Sequence, residues 1–166
     1  MRRFLILVLL LVLTISLSAK ITQSSPGKAA QSVISVGVFE KNLAKTGEIS
    51  IYVLGNKKVA SNLKNYLNQK IGKAKLKQVK YGETLPSEKP DILFLGQKKK
   101  VEQVKKYCRK NNVLSITNLP SLVNKGITMG IGMQDGQTQL VLNPDSTKKE
   151  GVKWKSAIMK IAKVNK

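Results

Sequence analysis

The chain has 166 residues, with 30 Lys+Arg against 9 Asp+Glu, a formal charge of +21, no histidine and one cysteine. This length fits a single domain. Without histidine there is no Ser-His-Asp or Cys-His nucleophile and no histidine-ligated zinc or haem, and a lone cysteine excludes thiolate clusters and an intramolecular disulfide.

The chain opens as a leader. Arg2 and Arg3 form a basic start, Phe4 to Leu13 is an unbroken apolar run, and Ser16, Ser18 and Ala19 are small. This is the layout of a secretory signal peptide over residues 1–19, cleaved after Ser18 or after Ala19. The alternative is an uncleaved anchor, but its apolar run of roughly 10 to 14 residues is short for a span of about 20. No cysteine follows that run, so no lipoprotein anchor is expected there. Export would take the mature chain away from ATP, nicotinamide cofactors and chromosomal DNA. Setting aside Arg2 and Arg3 leaves 28 cations against 9 acids, a formal +19. Such an excess attracts polyanions and anionic envelope surfaces. The plainer alternative is a lysine-biased solvated face. Aromatic residues are too few to provide base-stacking platforms, so nucleic acid is not an expected partner.

Residues 20–28 read as an exposed lead-in around Ser24-Ser25-Pro26-Gly27, and the domain proper as 29–166. Ala29 to Leu43 fits either a strand or a helix. Ile49 to Leu54 is an apolar strand stopped by Gly55-Asn56. Val59, Leu63, Tyr66, Leu67 and Ile71 have the spacing of an amphipathic helix. Leu76 to Tyr81 is a short strand, and Gly82 to Pro90 a loop. Asp91 to Leu95 is a strand buried on both faces. A helix follows to about Lys110, with Val101, Val104, Tyr107 and Cys108 inward, so Cys108 reads as a buried thiol rather than an intermolecular bridge. Val113 to Ile116 is a further strand. Ile127–Met133 and Gln137–Leu142 form a hairpin around Asp135-Gly136, because both central residues of such a turn favour positive φ. Thr147 to about Val164 has the spacing of a closing helix, with Trp154, Ala157, Ile158, Ile161 and Ala162 on one face. Alternating strands and helices imply an α/β domain: a mixed, mainly parallel sheet of about five or six strands with flanking helices and a C-terminal hairpin plus helix.

The chemistry is thin. The nine acids are Glu40, Glu48, Glu83, Glu88, Asp91, Glu102, Asp135, Asp145 and Glu150, most of them expected in turns or on outer faces. No two fall three or four apart on an expected helix. Asp91 and Asp135 are the candidates for an unusual hydrolase, but no catalytic residue, metal site or cofactor is expected. Gly96-Gln97-Lys98-Lys99-Lys100 lacks the P-loop spacing and reads as a solvated first helical turn. Asn143 before Pro144 suits turn chemistry. Trp154, the sole tryptophan, is either a core anchor or an interface anchor.

Four blocks resemble the YfiR family, the YfiR/HmsC-like periplasmic regulators of membrane diguanylate cyclases. They are IYVLGN from Ile51, DILFLG from Asp91, VLSIT from Val113 and the run from Gly126 to Ala162. In that last run the family's glycine-rich G-G-M-I-x-F aligns with Gly126 to Ile131. Its D-G turn aligns with Asp135-Gly136, its F-E-I-N with LVLN ending at Asn143, and its G-L-K-I-S-S-x-L-L-x-L-A with Gly151 to Ala162. The second glycine is Ile127 here, the Trp-Pro that follows the family's N-terminal helix is missing after Phe39, and its cysteine pairs are absent. The resemblance implies a non-enzymatic periplasmic protein. It would bind the extracytoplasmic sensor region of a membrane signalling protein, a diguanylate cyclase, and act as a homodimer. The candidate contacts are Gly126, Ile127, Thr128, Met129, Gly130, Ile131 and Gly132, with Asn143 and Trp154. The alternative for the glycines is close backbone packing in the core. A second functional class, from charge alone, is an exported binder of anionic envelope polymers.

Overall fold

The computed structural model describes residues 20–45 and 47–165. The leader read over 1–19 lies outside the described residues. In chain order the elements are β1 (Thr22–Gln23), α1 (Pro26–Gly37), β2 (Glu48–Leu54), α2 (Lys57–Lys64), β3 (Lys70–Ile71), β4 (Ala74–Gly82), β5 (Ile92–Leu95), α3 (Val101–Asn111), β6 (Leu114–Thr117), β7 (Met129–Gln134), β8 (Gln137–Leu142), α4 (Pro144–Lys149), α5 (Ile158–Ile161) and β9 (Ala162–Val164).

Helix wins over strand at the ambiguous N-terminal stretch. The Ser25 side chain accepts from the Lys28 N–H, Pro26 opens the first turn, and Ala29, Ala30, Val33 and Val36 fall on one buried stripe;. The stretch 20–28 carries β1 and the start of α1. Its Ser24 is buried, and the Ser24 hydroxyl donates to the Ile131 carbonyl at 3.0 Å.

The strands form one sheet in the order β3-β4-β2-β5-β6-β7-β8-β9, with β1 also paired to β7. The pairs β4–β2, β2–β5, β5–β6 and β6–β7 are parallel. Taken alone, these five strands follow the doubly wound order second-first-third-fourth-fifth. The sheet is mixed, as expected, but has nine strands among the described residues rather than five or six. The additions β1, β3 and β9 are two or three residues long, too short to show a period. α1, α2 and the C-terminal segment cover one face over Ile49, Ile51, Val53, Phe94 and Ile116. α3 and the 3₁₀ segment Pro120–Lys125 cover the other over Leu54, Leu93 and Leu95, with Val104 and Leu122 packed inward from them.

Two expected helices are cut short. The helix read over Val59 to Ile71 ends at Lys64. Asn68 takes a left-handed φ of 66°, its N–H donates to the Leu76 carbonyl, and Ile71 joins β3. The closing helix read over Thr147 to Val164 is broken into α4, α5 and β9. Gly151 turns the chain at φ 66°. The backbone of Lys153 to Lys155 then bonds to residues 39–41 instead of to itself. Lys41 N–H donates to the Lys153 carbonyl, and Lys155 N–H to the Phe39 carbonyl, both at 2.8 Å.

Candidate functional site

A ligand in a doubly wound fold ordinarily sits outside the carboxyl ends of the strands, where the strand order reverses. Here that point lies between β2 and β5, at Gly55-Asn56 and Gly96-Gln97. It is filled by the chain's own side chains. A Cβ on Gly55 would fall 2.5 Å from the Gln97 amide nitrogen, and one on Gly96 would fall 2.2 Å from Asn56 Cβ. Asn56 also caps α2, accepting from the Val59 N–H at 3.1 Å. Lys98 and Lys99 are exposed, but they precede α3, which opens at Val101 rather than at Gly96.

The carboxylates near the opposite end of the strands bond the backbone. A cleft of about 190 Å³ there is lined by Glu40, Asp91 and Glu150, with Lys89 and Asn112. Glu40 accepts from the N–H groups of Leu43 at 2.6 Å and Lys153 at 2.8 Å. Asp91 accepts from Ser50 N–H and hydroxyl, both at 2.8 Å. Asp135, the other acid singled out in the sequence, occupies the left-handed first position of the β7–β8 turn, φ 51°, followed by Gly136 at 75°. Both values are those of the turn that Asp-Gly favours.

Glu150 departs most from expectation. It is buried, where most acids were expected in turns or on outer faces, and Glu40 is buried too. Glu150 Oε2 accepts from Ser115 N–H at 2.9 Å and from the Thr128 hydroxyl at 2.7 Å, and Oε1 accepts from the Ser115 hydroxyl at 2.6 Å. Ser115 Oγ in turn accepts from the Thr128 N–H at 2.9 Å. The carboxyl thus ties the end of α4 to β6 and to the approach of β7. Burial pushes its pKa up to about 7, against the opposing pull of the Ser115 and Thr128 bonds and of Arg109. Burial likewise pushes up the pKa of Cys108, which is fully buried against α3's face of the sheet.

The candidate segment from Gly126 to Gly132 lies inside this framework. All seven residues are buried. Gly126 ends the 3₁₀ segment at φ 99°, and its carbonyl accepts from the Ser146 hydroxyl at 2.9 Å. β7 has β6 and β1 along one edge and β8 along the other. A Cβ on Gly130 would meet Val123 at 2.7 Å and the Pro120 backbone at 3.1 Å. On Gly132 it would meet Ile21 at 2.3 Å, Pro120 at 2.5 Å and the Thr22 carbonyl oxygen at 2.7 Å. The glycines therefore admit the 3₁₀ segment and β1 onto β7. Gly132→Ala is expected to cost about 1–3 kcal/mol, as overpacking does, and to speed amide exchange in β1 while leaving β8 protected. Chemical denaturation and hydrogen exchange measure the two effects.

Asn143 caps α4. Its side-chain oxygen accepts from the Ser146 N–H and its amide donates to the Val123 carbonyl, each at 2.9 Å. Trp154 is half-buried against the larger core cluster, and its indole N–H donates to the Thr147 hydroxyl at 3.3 Å. These two residues hold the path from α4 to the C-terminus.

That path ends at a surface the sequence reading did not single out. β9 pairs in parallel with β8, and no strand pairs with its other edge among the described residues. Met159 is 47% exposed, Ile161 53% and Val164 41%, three of the five large apolar side chains exposed among the described residues. Ile161 flanks a cleft of about 360 Å³ between α1 and β8, which Val36 and Leu140 also line. Val164 borders another, of about 310 Å³, beside Pro144. An unpaired strand edge beside exposed apolar side chains is a template for another chain. A single helix through this region would have turned Ile161 inward, so only the broken helix exposes it.

These features define a doubly wound α/β domain with a filled crevice and one open apolar edge. The family model described as YfiR/HmsC-like matches residues 39–163, and the chain belongs to that family. A search of curated proteins finds no match. The fold is also similar to the crystal structure of a conserved domain protein from Vibrio cholerae O1 biovar El Tor, with a TM-score of 0.53 and 13% sequence identity. That similarity covers 87% of this chain and 61% of the Vibrio chain.

Proposed function

We propose that the protein is a non-enzymatic periplasmic regulator that binds the extracytoplasmic sensor region of a membrane diguanylate cyclase and restrains its output. Membership of the YfiR/HmsC-like family supports the regulatory role in cyclic-di-GMP signalling. Export through a cleaved leader rests on the basic, apolar and small-residue pattern of residues 1–19;. The contact surface we assign is the α5–β9 edge, with Gly126 to Gly132, Asn143 and Trp154 as its support. The observation that carries this is the exposure of Met159, Ile161 and Val164 beside an unpaired strand edge. Regulation follows by population shift: binding one conformation of the sensor region holds the equilibrium away from the active state.

A crosslinking pull-down from membranes tests the reading. The protein should enrich a membrane sensor carrying a cyclase domain over a charge-matched basic control. Equal recovery by the control would remove the proposal.

A further inference from the structure

The nine acids are unevenly placed. Between Glu48 and Glu83 the chain has eight lysines and no Asp or Glu. That interval folds as β2 from Ile49 onward, then α2, β3 and β4, at one margin of the sheet. Lys57, Lys58, Lys64, Lys70, Lys73, Lys75, Lys77 and Lys80 are all exposed. Lys77 and Lys80 pair with Glu48 and Glu88 at its border. Lys70 and Lys75 stand directly opposite each other across β3 and β4. Like charges in that position are unfavourable for the strand pair itself.

The same margin carries the other two exposed large apolar side chains, Leu67 and Tyr81, each 38% exposed. Lysines alone would meet any soluble polyanion. Leu67 lies in the chain between Lys64 and Lys70, and Tyr81 follows Lys80 at the end of β4. Lysines and exposed apolar groups on one margin match a headgroup layer, where cations meet phosphates and apolar groups enter the acyl boundary. We propose that the α2–β3–β4 margin docks on an anionic phospholipid surface. In the sheet order this margin and β9 are at opposite ends. A domain seated on the bilayer by β3 and β4 would therefore keep its apolar β9 edge free for a protein partner. The proposal does not depend on the identity of that partner.

Vesicle flotation tests it, using protein expressed from the full chain. The probes are phosphatidylcholine vesicles with and without one-third phosphatidylglycerol. The protein should float only with the anionic vesicles. Replacing Lys64, Lys70, Lys73 and Lys75 with Gln should weaken binding at least about tenfold, because each lysine at a charged bilayer contributes substantially. The charge-matched replacement of Lys98, Lys99, Lys106 and Lys110 on and before α3 should change it less than about threefold on the same principle. Leu67→Ser with Tyr81→Ser should also weaken it. The two lysine variants change only exposed side chains, so their thermal melting should match the wild type. Leu67 and Tyr81 are 38% exposed and Tyr81 donates to Glu83, so that variant is compared at equal concentrations of folded protein. Failure of the wild-type protein to float with anionic vesicles, or equal losses in the two lysine variants, would overturn the proposal. Unchanged vesicle binding after the Leu67 and Tyr81 changes would also overturn it and assign the margin to a soluble polyanion.

Discussion

Glu150→Gln should abolish a component of stability that depends on pH. Burial pushes the Glu150 carboxyl to about 7 in the folded chain, against an ordinary value of 4.5. Between those values the folded state holds a proton that the unfolded state has released. Stability from this group is therefore fully present below about pH 4.5 and is lost as pH rises towards 7. The shift corresponds to about 3 kcal/mol, at 1.36 kcal/mol for each unit. Gln reproduces the protonated acid. Its carbonyl can take the Oε2 place and accept from Ser115 N–H and Thr128 hydroxyl, and its NH₂ can donate to Ser115 Oγ. The unfolding free energy of the wild type should thus fall by about 3 kcal/mol more than that of the variant across this window. Urea titrations at pH 4.5, 6 and 7.5 measure the difference. Glu150→Ala should be worse than Gln at acid pH, by about 2–5 kcal/mol, because the Ser115 N–H and the Thr128 hydroxyl lose their acceptor beside a new cavity;.

The second large effect concerns binding. Replacing Met159, Ile161 and Val164 with Ser should reduce capture of the membrane partner by about a hundredfold or more. Exposed apolar anchors at an interface centre are each worth about 1–2 kcal/mol on truncation. The same change should cost only about 1–2 kcal/mol of stability, because these side chains keep 41–53% of their surface exposed in the free domain;, so capture is compared at equal concentrations of folded protein. Gly132→Ala should show the reverse pattern, with lowered stability and retained capture among the molecules that remain folded.

Much of the centre of the fold is legible in the sequence. Ile92 to Leu95 reads as a strand buried on both faces because it has no polar residue to turn outward, and all four side chains are buried. Asp135-Gly136 reads as the hairpin turn because both residues need positive φ, and both have it. What escapes is set by partners far along the chain. β1 exists because β7 offers Gly132, and β9 because β8 offers an edge. Trp154, Ala157, Ile158 and Ile161 have good helical spacing. That local preference loses to the Glu40 carboxylate, which accepts from Lys153 N–H, and to the Phe39 carbonyl, which accepts from Lys155 N–H. Both partners stand more than a hundred residues earlier. The candidate site was legible in its support and illegible in its surface. The glycine-rich run marks the strand, Asn143 and Trp154 mark the path, but the exposed edge arises only once the helix is broken.

Site-specific photocrosslinking decides between the edge and the rest of the surface most directly. A photoreactive residue at Ile161 should yield an adduct with a membrane sensor protein in intact cells. The same residue at Leu67, on the opposite margin, should yield none with that protein. Adducts from position 67 and none from position 161 would contradict the assignment of the α5–β9 edge as the binding surface.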